Sequence, residues 1–180
     1  MTPSEREKYE ICYQLPNYRL QGARLAKVMK DVEAIPPGAT YLDVGCGRGE
    51  MVQLARSRGV DAKGVELVAY LCDGQNVINA EITALPFDDG EFDVVSCYDV
   101  VEHLPEDQVD LALDELFRVA RQTVLITTND KRSTYNGMEL HLTRKPRDWW
   151  DAKLSARAAS LERSIYGQDE WHWRCEVPER

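Results

Sequence analysis

Residues 41–50, Tyr-Leu-Asp-Val-Gly-Cys-Gly-Arg-Gly-Glu, constrain this chain more than any other stretch. An apolar run from Thr40 to Val44 stops at Gly45, and Gly47 and Gly49 follow at alternate positions. The pattern reads as a buried strand feeding a helix through a turn that needs positive φ or close approach by a ligand. Free backbone N–H groups at the helix start would hydrogen-bond that ligand. Dinucleotide-binding turns need a third glycine at position 50. Here that position is Glu50, which would clash with and repel a pyrophosphate. Asp43, two residues before the first glycine, instead suits a ligand with a cationic amino group. Taken alone, the loop is also compatible with a plain strand-to-helix turn.

The rest of the chain alternates between the two periodicities. Residues 4–33 carry helical spacing, with Leu20, Ala23 and Val28 among the apolar positions, and Pro16 splits the stretch into two helices. Strands are expected at Thr40–Val44, Asp61–Val65, Val77–Asn79, Phe92–Cys97 and Thr123–Thr127. Helices fall between them at Glu50–Ser57, Ala69–Gln75 and Glu106–Val119, the last with Val109, Leu113, Leu116 and Phe117 on one face. Beyond them come a helix over Arg147–Ala159 and two strands, Leu161–Ile165 and Trp171–Val177, joined near Gly167. The expected fold is α/β: a Rossmann-like, doubly wound, seven-stranded sheet, mostly parallel with a C-terminal antiparallel hairpin, in an α/β/α sandwich. One domain accounts for residues 1–180. Residues 1–37 cover the active site, 38–130 form the ligand-binding core, and 131–180 add a substrate-side loop, a helix and the hairpin. Such sheets bind ligands beyond the carboxyl ends of their strands.

Composition removes several classes. Thirty-one acidic against 22 basic residues give a formal charge of −9, which disfavours generic nucleic-acid binding. The basic group Lys131, Arg132, Arg144, Lys145 and Arg147 reads as a solvated loop surface. Five cysteines without a CxxC pair argue against a disulfide framework and against zinc. The charged N-terminus is not a signal peptide, and no apolar run is long enough to span a membrane. A reducing cytoplasm is the expected location; the oligomeric state is not legible.

Glu66, 23 residues after Asp43, ends the second strand, where a carboxylate can accept both hydroxyls of a ribose. Tyr41–Glu50 together with Glu66 resembles the first two motifs of class I S-adenosylmethionine-dependent methyltransferases. Asn79–Phe87 resembles that family's third motif, and Phe92–Leu104 its strand-to-helix crossing. The resemblance covers residues 38–130. It implies S-adenosylmethionine as cofactor, S-adenosylhomocysteine as product and a small-molecule acceptor. Asp43, Gly45, Cys46, Gly47, Gly49, Glu66 and Leu67 would form the first half of the cofactor site. Glu81 and the Ile82 N–H would meet the adenine, and Cys97 and Tyr98 would line the methionine arm. Glu81 departs from the family's Asp by one methylene.

Methyl transfer from a sulfonium is an in-line displacement, assisted by a base where the nucleophile carries a proton. Candidate bases are His103, His141 and Asp99; His103 and His141 are the preferred pair. Either histidine has a packing alternative. Asp99, Glu102 and His103 resemble the acidic-x-x-Glu-His cluster that holds a divalent metal in ubiquinone-pathway O-methyltransferases, but the match is three residues and the reading here is without metal. His141 begins a His-x-x-x-x-Pro-x-x-Trp-Trp stretch, similar to one in small-molecule methyltransferases. No Asn/Asp-Pro-Pro-Tyr and no Pro-Cys pair occurs, which disfavours adenine-amino, glutamine and cytosine-C5 methylation. The acceptor is expected between the N-terminal helices and the 130–145 loop, near Tyr13, Tyr18, Arg19 and Tyr135. The competing readings are a cofactor-binding scaffold without turnover and, against Glu50, a nicotinamide oxidoreductase.

Overall fold

The fold is described from a computed structural model, covering residues 4–15, 18, 22–166 and 170–179. Pro16, Arg19, Leu20 and Gly167 lie outside the described residues, as does the side chain of Ala23. Two helices come first, α1 (Glu5–Tyr13) and α2 (Gly22–Glu33). The alternating segment then supplies β1 (Thr40–Val44), α3 (Glu50–Ser57), β2 (Asp61–Glu66), β3 (Val77–Asn79), β4 (Phe92–Tyr98), α4 (Glu106–Val119) and β5 (Ala120–Thr128). A two-stranded hairpin, β6 (Thr134–Tyr135) and β7 (Met138–Glu139), precedes α5 (Arg147–Ser155), β8 (Ser160–Tyr166) and β9 (Glu170–Glu176).

The main sheet has seven strands in the order β3-β2-β1-β4-β5-β9-β8. The first five pair in parallel, and β9 pairs antiparallel with both β5 and β8. The order reverses direction between β1 and β4, the switch point at which such sheets open a crevice. One apolar core packs α4 and α5 on one face, with Leu113, Leu116, Trp150 and Leu154 fully buried. A second core on the other face joins α2 and α3 through Val28, Val32, Val52 and Ala55. The sheet is thus covered on both sides, as its unbroken apolar strands require.

Several strand ends shift by one to three residues, and the larger differences from expectation have local reasons. The helix expected at Ala69–Gln75 is only a 3₁₀ turn, Ala69–Leu71. Asp73 ends it by accepting from the N–H groups of Gln75, Asn76 and Val77 at 2.8, 2.7 and 2.9 Å. The helix expected to run to Ala159 stops at Ser155, because the Ala159 N–H donates to Glu176 O at 2.8 Å and joins the sheet edge. The β6–β7 hairpin was not anticipated; Asn136 and Gly137, both at positive φ, form its turn.

Candidate functional site

The carboxyl ends of β1, β2 and β4 open into a cavity of about 1320 Å³. That exceeds the roughly 300–1,000 Å³ of an ordinary ligand pocket. It therefore has room for a nucleoside-sized cofactor and a second molecule.

The glycine loop forms one wall. Gly45, Gly47 and Gly49 adopt φ of 76°, 57° and 75°, a region that costs other residues about 1–2 kcal/mol. A Cβ on Gly45 would lie 2.3 Å from Val100 Cγ2, and one on Gly47 would lie 2.8 Å from the Tyr13 hydroxyl. Ahead of the helix start, the N–H groups of the three glycines and Cys46 are taken up within the fold. Gly45 and Cys46 both donate to Val65 O, at 2.8 and 3.0 Å, Gly47 donates to Glu66 Oε2 at 2.8 Å, and Gly49 donates to Cys46 O at 2.9 Å.

Asp43 is 5% exposed at the end of β1. Its Oδ1 accepts from Ser96 Oγ at 2.7 Å, and Ser96 in turn shares a hydrogen bond with the Tyr41 hydroxyl at 2.6 Å. Burial raises its carboxyl to about 7 despite the Ser96 bond. Glu66 is also raised by burial, although it accepts from the Gly47 and Val68 N–H groups at 2.8 and 3.1 Å. A carboxylate has about four acceptor sites, more than the backbone N–H groups of Gly47, Leu67 and Val68 take up.

The other cofactor-side residues separate. Leu67, Glu81, Ile82 and Tyr98 line the cavity. Glu81 is exposed and pairs with Arg6 of α1 at 3.4 Å. The side chain of Cys97 must be corrected: it is fully buried in the core beneath α4. Strand side chains alternate, so Tyr98 takes the cavity face and Cys97 the opposite one.

The opposite wall brings distant segments together. His103 lies just past β4 and His141 follows β7, their rings edge to face at 4.6 Å. Two bonds pin them: the Thr143 N–H donates to Glu102 O at 3.0 Å, and Thr143 Oγ1 donates to Leu104 O at 2.7 Å. His141 Nδ1 meets Lys131 O at 2.8 Å. Asp99 also lines the cavity, at a φ of 56°.

Helix α1 closes this side. Ser4 and Glu7 form a reciprocal capping box that fixes its start. Tyr9 and Tyr13, four residues apart, share one face, and Tyr18 stacks edge-on against Tyr13 at 5.0 Å. Tyr9 and Arg6 were not foreseen as site residues. The only trace in the sequence is the Tyr9/Tyr13 spacing, and Tyr9 stands 94 residues from the histidine it meets. Tyr13 and Tyr18 line the cavity as expected; Arg19 lies outside the described residues.

Glu102, His103 and His141 offer one ligand atom each, all within 4.8 Å of one another. Two imidazoles and a carboxylate suit a divalent transition metal. The sequence placed only the first two of these together. Elsewhere, Arg132 and Arg144 face Glu139 at 3.8 and 3.7 Å, Lys145 meets Glu106 at 2.7 Å, and Arg147 faces Asp151 at 3.8 Å. These pairs partly neutralise the basic group. Among the described residues, no helix is long and apolar enough to cross a membrane.

Residues 42–127 match the family described as "Methyltransferase domain". The chain is 30% identical over 141 residues to the ubiquinone biosynthesis O-methyltransferase of Pseudomonas paraeruginosa, covering 69% of this chain. Residues 42–127 therefore carry that methyltransferase domain. The chain spans 61% of the length of that relative. It is 28% identical over 185 residues to the Pectobacterium carotovorum protein of the same name, covering 92% of this chain and 72% of that one. Its fold matches, with a TM-score of 0.74 and 17% identity, that of Burkholderia thailandensis 1,6-didemethyltoxoflavin-N1-methyltransferase with bound 1,6-didemethyltoxoflavin and S-adenosylhomocysteine; 97% of this chain and 87% of that one are covered.

Proposed function

We propose that this protein transfers a methyl group from S-adenosylmethionine to a hydroxyl of a small aromatic acceptor. The single observation that carries the reading is a cavity with two chemically different ends: carboxylates Asp43 and Glu66 on the glycine loop, and a histidine pair facing tyrosines at the other. Asp43 provides the negative charge for the cofactor's amino group, and Glu66 has acceptor capacity left for the ribose. Glu81 and Ile82 flank the adenine, while Gly45, Cys46, Gly47, Gly49, Leu67 and Tyr98 shape the rest of the cofactor bed. Residues 38–130 then serve the cofactor; residues 1–37 and 131–180 serve the acceptor. His103 or His141 removes the acceptor's proton as the methyl group arrives, an assistance of roughly 10²–10⁴-fold. Alignment supplies more, on the order of 7–11 kcal/mol in favourable cases. The names of the O-methyltransferase relatives support oxygen as the methylated atom. A cytoplasmic setting fits five unbridged cysteines.

The test is calorimetric binding of S-adenosylhomocysteine, followed by label transfer from methyl-labelled cofactor to a panel of catechols and other phenols. Binding without transfer across the panel would favour a scaffold; no binding would overturn the reading.

A second reading is favoured by the Glu102–His103–His141 cluster. These residues would hold a divalent cation, which as a Lewis acid would polarise the acceptor oxygen. Chelation with EDTA should then abolish label transfer, and added Mg²⁺ or Zn²⁺ should restore it. Transfer that survives chelation assigns the histidines to proton removal alone.

A further inference from the structure

Helix α1 touches the base as well as the cofactor loop. Nδ1 of His103 lies 2.5 Å from the Tyr9 hydroxyl and 3.0 Å from the carbonyl oxygen of Leu140. A carbonyl oxygen only accepts hydrogen bonds. Its place beside Nδ1 requires a proton there, since a nitrogen lone pair facing it would be repelled. The Tyr9 oxygen can accept the same proton from a second direction.

We propose that Tyr9 is a positioning residue which, with the Leu140 carbonyl, holds His103 as the Nδ1–H tautomer and leaves the lone pair on Nε2. The proposal rests on the reading of His103 as facing the acceptor. A lone pair on Nε2 is what a base needs, and equally what a metal ligand needs. The opposite tautomer would present a donor to the acceptor and could do neither. The same helix lies against the cofactor loop. The Tyr13 hydroxyl occupies the space beside Gly47, Arg48 donates to Tyr13 O at 2.6 Å, and Arg6 meets Glu81 at 3.4 Å. The tautomer of the base is therefore tied to the element that covers the cofactor bed.

Long-range ¹H–¹⁵N spectra test this directly. The sample is the full chain, ¹⁵N-labelled, chelator-treated and saturated with S-adenosylhomocysteine. It has three histidines, each assigned through its own His→Gln variant. His103 should show a single Nδ1–H pattern. Tyr9→Phe, which keeps the ring, should lose that single pattern and show a tautomer mixture. Tyr13→Phe, on the same helix face, should leave it unchanged. An Nε2–H pattern in the unaltered protein would overturn the proposal, even if Tyr9→Phe failed to fold. So would a Tyr9→Phe spectrum identical to the parent's. Calorimetry on the same samples separates the two readings: failure of the unaltered protein to bind S-adenosylhomocysteine sinks the functional proposal, whatever tautomer is seen.

Discussion

The two ends of the cavity are built in different ways. The cofactor end is made from strand termini that the chain visits in quick succession: Asp43 and the glycine loop after β1, Glu66 at the end of β2, Tyr98 at the end of β4. Each sits where a parallel strand must stop, so backbone topology alone brings them together. The acceptor end is an assembly of strangers. Tyr9, His103 and His141 come from a helix, a 3₁₀ turn and a loop, and meet through side-chain contacts and the Thr143 bonds. The first end is rigid by topology, whereas the second depends on a few hydrogen bonds. Damage at one end should therefore affect cofactor affinity, and damage at the other should affect turnover.

The largest expected effect breaks the acceptor end alone. His103→Gln should lower label transfer by roughly 10²–10⁴-fold while S-adenosylhomocysteine affinity, read by calorimetry, changes by less than about threefold. Equal losses in both would erase the distinction between the ends. Next comes the cofactor end. Gly45→Ala places a Cβ against Val100 at positive φ and should weaken S-adenosylhomocysteine binding by over about 100-fold, or about 2.7 kcal/mol. Near-parental affinity would mean that the loop is not the cofactor bed.

A graded effect sharpens the comparison through pH. The buried Asp43 carboxyl titrates near 7, well above its ordinary value, so the unliganded fold favours the protonated form. For this group the stability sign is clear. Its contribution is fully present below about pH 4, the range where an unfolded Asp titrates, and is lost as pH rises to about 7. Cofactor binding runs the opposite way, because a cationic amino group needs the carboxylate. Affinity should fall toward about tenfold per unit as pH drops below 7, and Asp43→Asn should flatten that slope. A slope unchanged in Asp43→Asn would assign the titration elsewhere. The smallest effect belongs to Arg6→Ala. The Arg6–Glu81 pair is 41% and 63% exposed, and such pairs contribute about 0–1 kcal/mol. S-adenosylhomocysteine affinity should change by less than about fivefold, as measured by calorimetry.

This asymmetry also explains which features the sequence shows. The strands of the parallel sheet were legible because buried strands announce themselves as apolar runs ending in glycine or acidic residues. Elements failed where a side chain or a distant strand overrode local propensity, as Asp73 did after Leu71 and Glu176 did at Ala159. The misplaced Cys97 has the same origin: the motif located the segment, but the two-residue alternation of β4 decided which neighbour faces the cavity.

By itself, then, the sequence determined the alternation of strands and helices behind the mostly parallel sheet, and it placed Asp43, Gly45 and Glu66 at strand ends, since these follow from short-range patterns on successive strands. Only the tertiary structure decided that His141 stands over His103 and so joins Glu102 and His103, and that Tyr9 reaches His103 from 94 residues away. Side-chain contacts at that separation depend on how α1 and the 140–143 segment pack across the sheet edge, and no local pattern in the chain encodes that packing.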